Sequence, residues 1–234
     1  MRVLLLSTLF VGTFAQLHAA TFQNGSFELG PSAPVNFCAV CGAPYIGTFF
    51  APFAGIPGWT VTAGSIDIIY LTGSTGWSPS EGLRAIDLDG LSAGTLAQTF
   101  DTIPGLAYAV SFDLAANFYA GQTIKSVLVS APSFSQTYTF DQTGRTALNM
   151  GWRTETFQFI AAGSSSTLSF ASQDVANSAF GPALDNVTVN AVAANVPEPS
   201  TWLITGICLS IMMKKANRRY KRSSLGLSLS RPPR

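Results

Sequence analysis

Between Thr21 and Ala191 the chain is built of short runs in which apolar and polar residues take turns. Ala109-Val110-Ser111-Phe112-Asp113-Leu114 alternates cleanly, and so does Glu155-Thr156-Phe157-Gln158-Phe159. A period of two sends successive side chains to opposite faces of a strand, one toward a core and one toward water. The same pattern covers Val127-Leu128-Val129, Thr137-Tyr138-Thr139-Phe140, Thr167-Leu168-Ser169-Phe170 and Asn186-Val187-Thr188-Val189. Earlier strands are predicted over residues 22–28, 59–62, 66–70, 85–88 and 96–100. Gly, Pro, Ser and Asn punctuate the runs, and no stretch in this span keeps a long helical period. About eleven strands with short connections predict an all-β fold, an antiparallel β-sandwich. Residues 30–55 interrupt the pattern and are predicted as a long Pro-, Gly- and Cys-containing loop.

The two ends follow other rules. Arg2 precedes the apolar run Val3-Leu4-Leu5-Leu6-Ser7-Thr8-Leu9-Phe10-Val11, and Leu17-His18-Ala19-Ala20 supplies small residues for cleavage. That is the pattern of a secretory signal peptide, expected over residues 1–19. At the other end, Val196-Pro197-Glu198-Pro199-Ser200-Thr201-Trp202 leads into an uncharged run to Met213 and then a basic cluster from Lys214 to Arg222. Pro197 and Pro199 fix φ and remove two backbone donors, which holds the segment extended and open to a protease-like enzyme. Trp202 suits a membrane interface, and the basic cluster belongs on the cytoplasmic side. A helix over the twelve residues from Trp202 to Met213 covers roughly 18 Å of a bilayer core about 30 Å thick. Such a short helix relies on Lys214 and Lys215 snorkelling to the interface. The expected organisation is a signal peptide, a sandwich domain over residues 20–195, a sorting segment over 196–222 and a disordered tail over 223–234. The roughly 175 residues between the signals suffice for one domain with a real core. Export places that domain outside the cytoplasm.

Charge sharpens this division. Eight of the thirteen Lys and Arg lie at or after Lys214, and Arg2 is in the signal peptide. The middle keeps only Arg84, Lys125, Arg145 and Arg153, against twelve Asp and Glu between Glu28 and Glu198. So acidic a surface makes nucleic acid a poor partner. The one histidine, His18, leaves with the signal peptide. Ser-His-Asp, Cys-His and His-metal chemistry are thereby excluded from the domain. No Gly-rich loop follows a phosphate-binding pattern. The carboxylates Glu81, Asp87 and Asp89 are the one remaining route to hydrolysis, which needs two carboxyls across a glycosidic bond. No catalytic residue is assigned. Cys38 and Cys41 form a C-x-x-C without a second pair for zinc and without the strand and helix of a redox site. A small loop disulfide in an oxidising compartment is expected.

The tail from Val196 to Arg222 resembles the PEP-CTERM sorting signal of Gram-negative bacteria, through the motif Pro197, Glu198, Pro199, the apolar run and the basic cluster. The resemblance implies recognition in the inner membrane by an exosortase, a transient membrane anchor, and a final location at the cell surface or in the extracellular matrix. The apolar run is shorter than in that family, and residues 223–234 continue past the cluster where family members stop. In the middle, Asn24-Gly25-Ser26-Phe27-Glu28 opens an ordered set of landmarks. Ile56-Pro57-Gly58-Trp59, then Glu81-Gly82-Leu83-Arg84-Ala85-Ile86-Asp87-Leu88-Asp89-Gly90 and Gln98-Thr99-Phe100 follow. Phe112-Asp113-Leu114-Ala115-Ala116-Asn117 and Gly181-Pro182-Ala183-Leu184-Asp185-Asn186-Val187 complete it. This set looks like the choice-of-anchor C family of bacterial surface proteins, whose biochemical function is not established. Its first and last motifs are similar to those of galactose-binding-like jelly rolls, which house many carbohydrate-binding modules.

These resemblances imply a non-enzymatic, exported binder of carbohydrate or exopolysaccharide in the envelope or a biofilm matrix. A structural matrix component without a ligand site is the second reading, and a carbohydrate-active hydrolase the third. Sugar recognition calls for flat rings against apolar sugar faces and polar groups for hydroxyls. Trp77 and Tyr119, in Gly/Ser/Asn-rich surroundings, are the candidate rings, with Arg84, Asp87 and Asn117 as polar partners. Glu28 and Asp185 are candidates for a structural calcium ion, if the first and last motifs lie side by side. The other reading of this pair is that both carboxylates accept hydrogen bonds from loop backbone N–H groups.

Overall fold

The protein was analysed as a computed structural model that describes residues 21–31, 46–71, 76–175, 178–193 and 213–215. Twelve strands form the domain. In chain order they are β1 (Ile46–Phe50), β2 (Phe53–Ile56), β3 (Trp59–Ala63), β4 (Ser65–Tyr70), β5 (Arg84–Asp87) and β6 (Thr95–Asp101). The second half adds β7 (Ala107–Ala116), β8 (Ile124–Ala131), β9 (Phe134–Asp141), β10 (Arg153–Ile160), β11 (Ser165–Ser172) and β12 (Pro182–Ala191). They pair antiparallel into two six-stranded sheets, in the orders β1-β4-β5-β12-β7-β10 and β2-β3-β6-β11-β8-β9. From β9 onward the chain changes sheet at every connection, and the whole is the antiparallel sandwich that the alternation predicts, jelly-roll in kind as the resemblance implies.

The inward positions of both sheets make one core. On β7, Tyr108, Val110, Phe112 and Leu114 are buried, while Ala109 and Ser111 face the other way. Phe112 meets Phe170 of the opposite sheet edge-on, with centroids 5.2 Å apart, and Tyr138 at the same separation. Phe170 contacts Trp59, and Trp59 contacts Phe27 at 5.3 Å. Such pairs add about 0.5–1.5 kcal/mol each beyond the area they bury, so the aromatic chain ties the two sheets at the middle of the sandwich.

Two expectations are corrected. Residues 22–28 form no strand. Asn24 and Phe27 have positive φ, and the chain turns there with Phe27 N–H donating to the Asn24 carbonyl. The Asn24 amide donates to the carbonyls of Leu29 and Pro57, and Trp59 Nε1 donates to the Asn24 carbonyl. Local side-chain bonds of this kind compete with a ladder, and the alternation here came from a plug that inserts Phe27 into the core. Conversely, part of the predicted loop 30–55 is sheet: β1 pairs with β4 over five residues, and β2 pairs with β3. Their Gly and Pro content masks strands that lie at the sheet edges, where such residues are tolerated.

Residues 1–20, Cys38, Cys41, the Pro197-Glu198-Pro199 motif and the segments beyond it lie outside the described residues, except for a helical turn at Met213–Lys215. Among the described residues no helix is long and apolar enough to cross a membrane. Residues from Ala193 onward form a separate unit.

Gly25 is required by a close approach. Val187 N–H donates to its carbonyl, and a methyl group at Gly25 would collide with the Val187 carbonyl oxygen. We expect Gly25→Ala to destabilise the domain by about 1–3 kcal/mol, the usual cost of overpacking. Urea unfolding checks this, and an unchanged midpoint would show that the plug is not held against β12.

Candidate ligand-binding site

Two carboxylates organise the outer face of the first sheet. Asp185, fully buried on β12, accepts the N–H groups of Ser80 (2.8 Å) and Glu81 (3.0 Å) on Oδ2 and that of Asn186 on Oδ1. Glu28 Oε1 accepts the N–H groups of Leu83 (2.8 Å) and Arg84 (2.9 Å). Asp113, opposite Asp185 on β7, accepts the Ser80 and Thr154 hydroxyls and the Asn186 amide. The segment before β5 is thus pinned across one half of the sheet, and Trp152 Nε1 donates to the Ser78 carbonyl to hold a second loop against it. Three of the four oxygens of the pair proposed for calcium, both of Asp185 and Oε1 of Glu28, thus accept backbone N–H groups, as the second reading of the pair expects.

The other half of that face is open. A groove of about 380 Å³ runs over β10, β7 and β12, lined by Ala109, Ser111, Thr156, Gln158, Thr188 and Asn190. Register explains this set. Ser111 pairs with Thr156 and with Thr188, and Ala109 pairs with Gln158 and with Asn190. A β-bulge in β12 between Asp185 and Thr188, with Asn186 at φ 48°, inserts one extra residue. It lets Asp185, Thr188 and Asn190 all face outward while Leu184 and Val187 stay in the core. The Ser111 and Thr188 hydroxyls hydrogen-bond to each other at 2.8 Å. Every polar lining group is an uncharged hydroxyl or amide that can both donate and accept. Phe157 also borders the groove, but its ring is turned inward and stacked on Phe134 at 3.9 Å.

The five residues expected from sequence fall elsewhere. Trp77 is 1 % exposed and presents no face to a ligand. Asp87 is 0 % exposed. Its Oδ1 accepts the N–H groups of Asp89 and Gly181, and its Oδ2 accepts the Asn117 amide at 2.7 Å. Asn117 Oδ1 in turn accepts the Tyr119 N–H. Asp87, Asn117 and Tyr119 are therefore brought together, as a hydrogen-bonded chain at one end of the sandwich. Tyr119 is the exposed member at 56 %, its ring against Phe118. From Ser111 to Asn117 the distance along β7 is roughly 20 Å at strand rise, so this end is separate from the groove. Arg84 lies apart from both, its guanidinium 5.0 Å from the Tyr70 ring centroid. Of the carboxylates considered for a hydrolase, Asp87 is walled off by its N–H and amide partners. The groove residues were missed because strand alternation marks them as outward but does not say which strands are neighbours.

Burial leaves the acids of this sheet hard to ionise. It pushes Asp185 up to about 7 against three amide bonds that pull the other way. Asp67 and Asp89 rise to about 6, again mainly through burial, and Asp87 rises well above the usual carboxylate range. The unfolded value is about 3.9. Groups raised in the fold favour the protonated form there. Their contribution to stability is complete below about pH 4 and is lost as pH rises through 6 to 7. We expect the melting temperature to fall between pH 4 and pH 7.5 and then level off. A rise over that interval in a pH series of thermal melts would contradict the assignment. Asp185→Asn puts an amide N–H₂ against backbone donors, and we expect a loss of about 1–3 kcal/mol in denaturant unfolding.

The chain is 26 % identical over 190 residues to halomucin of Haloquadratum walsbyi, covering 80 % of this chain and 2 % of that protein. It is 27 % identical over 179 residues to protein DUF642 L-galactono-1,4-lactone-responsive gene 2 of Arabidopsis thaliana, covering 73 % of this chain and 46 % of that protein. The chain thus spans less than half the length of either relative. Among solved structures it is similar to TmCBM61 in complex with β-1,4-galactotriose, at 10 % identity and a TM-score of 0.43, over 74 % of this chain and 99 % of that one. It is also similar to a native family 35 carbohydrate binding module from Clostridium thermocellum, at 13 % identity and a TM-score of 0.39, over 63 % and 98 %. Residues 20–190 match the family described as "Protein of unknown function (DUF642)", and the chain belongs to that family.

Proposed function

We propose that this chain is an exported, non-enzymatic surface protein that binds carbohydrate in the groove over β10, β7 and β12. The observation that carries the reading is the lining itself. Five hydroxyl and amide side chains, Ser111, Thr156, Gln158, Thr188 and Asn190, converge from three adjacent strands on one concave surface. Sugar hydroxyls need partners that donate and accept at fixed spacing, and side chains on neighbouring strands supply that on a rigid frame. No lining residue is a carboxylate, thiol or histidine, so the groove offers binding without a base to activate its hydroxyls or a carrier for a proton. It also offers no exposed ring, so recognition there runs through hydrogen bonds. A few net bonds of about 1 kcal/mol each correspond to a dissociation constant on the order of millimolar per binding site. Useful retention then comes from many copies along a polysaccharide.

The remaining parts of the reading rest on the sequence. A signal peptide over residues 1–19 sends the domain through the inner membrane. Pro197, Glu198 and Pro199 present the tail to an exosortase, and the protein ends at the surface or in the matrix of a Gram-negative bacterium, in the manner of choice-of-anchor C proteins.

The test is a glycan array, followed by titration calorimetry, with the full chain and the producer's own polysaccharide as one ligand. We expect Gln158→Ala and Asn190→Ala each to weaken binding roughly fivefold to tenfold, about 1–1.4 kcal/mol, with unchanged melting. Flat binding to every glycan would leave a matrix component without a ligand site. For the tail, replacing Pro197, Glu198 and Pro199 with alanine should keep the protein in the inner-membrane fraction with its C-terminal peptides intact. Normal release of that variant would remove the sorting motif from the reading.

A further inference from the structure

At the end of the sandwich that carries Tyr119, one amine and two carboxyls are sealed together. Lys125 lies on the inward face of β8, in line with Val127 and Val129, and its side chain is 0 % exposed. Asp174 follows β11, the neighbour of β8, and its side chain is 1 % exposed. Asp89 follows β5 on the opposite sheet, is fully buried, and acts electrostatically on both. Lys125 Nζ donates to the carbonyls of Ala120 and Phe180, and Asp174 Oδ2 stands 3.7 Å from it, beyond hydrogen-bond reach. Asp174 Oδ1 accepts the Ser126 N–H at 3.0 Å. Oδ2 of Asp174 and both oxygens of Asp89 are buried with no hydrogen-bond partner among the described residues. The Ser172 and Ser178 hydroxyls face Asp89 without completing hydrogen-bond geometry.

As an ion pair this is a poor arrangement. Burying an ammonium and a carboxylate costs several kcal/mol per ion, repaid only by close contact and fully used lone pairs. Three orphaned oxygens around one amine do not repay it. The same atoms are, however, a nucleophile, an acyl carbon and a proton carrier in a water-excluded pocket. Lys125 already supplies the local positive charge, so its amine occupies the place a metal ion would take.

We propose that Lys125 and Asp174 form an intramolecular isopeptide bond, with Asp89 as the proton carrier. The Lys125 amine, having passed a proton to Asp89, attacks Asp174 Cγ. The Nζ–Cγ bond forms and the Cγ–Oδ2 bond breaks. The ammonium yields two protons in all, and both leave with Oδ2 as water. No oxidant, reductant or activating reagent is consumed. Each atom then has a use. Oδ1 becomes the amide carbonyl and keeps the Ser126 N–H, while Nζ retains one hydrogen for the Phe180 carbonyl. The orphaned Oδ2 is gone, and the two buried charges of the pair go with it. Asp89, having passed its proton on to the departing Oδ2, ends the step in the state in which it began. The bond ties the start of β8 to the end of β11, covalently closing this end of the second sheet.

The measurement is peptide mapping of the purified, folded full chain. After denaturation and trypsin digestion, the cross-link blocks cleavage after Lys125. It joins the peptide containing Lys125 to the one containing Asp174, one water lighter than the two together. Lys125→Arg and Asp174→Ala should each restore two linear peptides. Asp89→Asn, which leaves both partners in place, should slow the appearance of the branched peptide at least tenfold. Complete cleavage after Lys125 in wild-type protein that melts cooperatively would overturn the proposal. Undiminished bond formation in the Asp89→Asn variant would overturn the role of Asp89. None of these outcomes depends on whether the groove binds sugar.

Discussion

The fold rests on buried and half-buried carboxyl groups that are met by backbone N–H groups instead of by cations. The domain has few cations to offer: Lys125 is enclosed, Arg153 pairs with Glu155, and Arg84 lies over Tyr70. Asp185, Glu28 and Asp87 therefore find their partners in the amides of Ser80, Glu81, Leu83, Arg84, Asp89 and Gly181. Bonds from backbone amides to a carboxyl oxygen are directional. They fix loop backbone where no regular ladder could. The segment before β5 is a loop by composition, but it is anchored at both ends by side chains from distant parts of the chain. Its position decides which half of the first sheet is covered and which half remains a groove.

Much of this was legible in the sequence. Ten of the predicted strands coincide with observed ones, because inward residues such as Val110, Phe112, Leu168 and Phe170 repeat with the pleat. The opening motif was visible as a landmark and misread as a strand. Asn24 and Gly25 look like breaks within an alternating run, yet each has a tertiary role: Asn24 ties the Leu29 and Pro57 carbonyls and the Trp59 indole together, and Gly25 admits the backbone of β12. A side chain that works through contacts far along the chain leaves no local periodicity to read. The strands β1 and β2 were hidden for the opposite reason, since edge strands tolerate the Gly and Pro that otherwise signal loops.

The candidate site was less legible than the fold. A search guided by aromatic rings and charged partners leads to Trp77 and Asp87, which the structure buries. In a small sandwich the rings are spent on joining the sheets, as Phe112, Phe170 and Trp59 are. What remains for the surface is the undistinguished outward half of each alternation: Ser111, Thr156, Gln158, Thr188 and Asn190. Each is common alone. They become a set only through the strand order β10-β7-β12 and through the bulge at Asn186, neither of which periodicity can supply.

That strand order has a further consequence. β12 comes last in the domain yet lies inside the first sheet, between β5 and β7. Until residue 191 is available, β5 and β7 have no common neighbour, and the amides of Ser80 and Glu81 have no carboxylate to meet. Such long-range pairing delays folding, because loop closure must precede the contacts that reward it. A nascent chain of this design leaves its first sheet open until β12 arrives and then closes it with one strand. The topology thus acts as a timer for that sheet, set by the last strand of the domain.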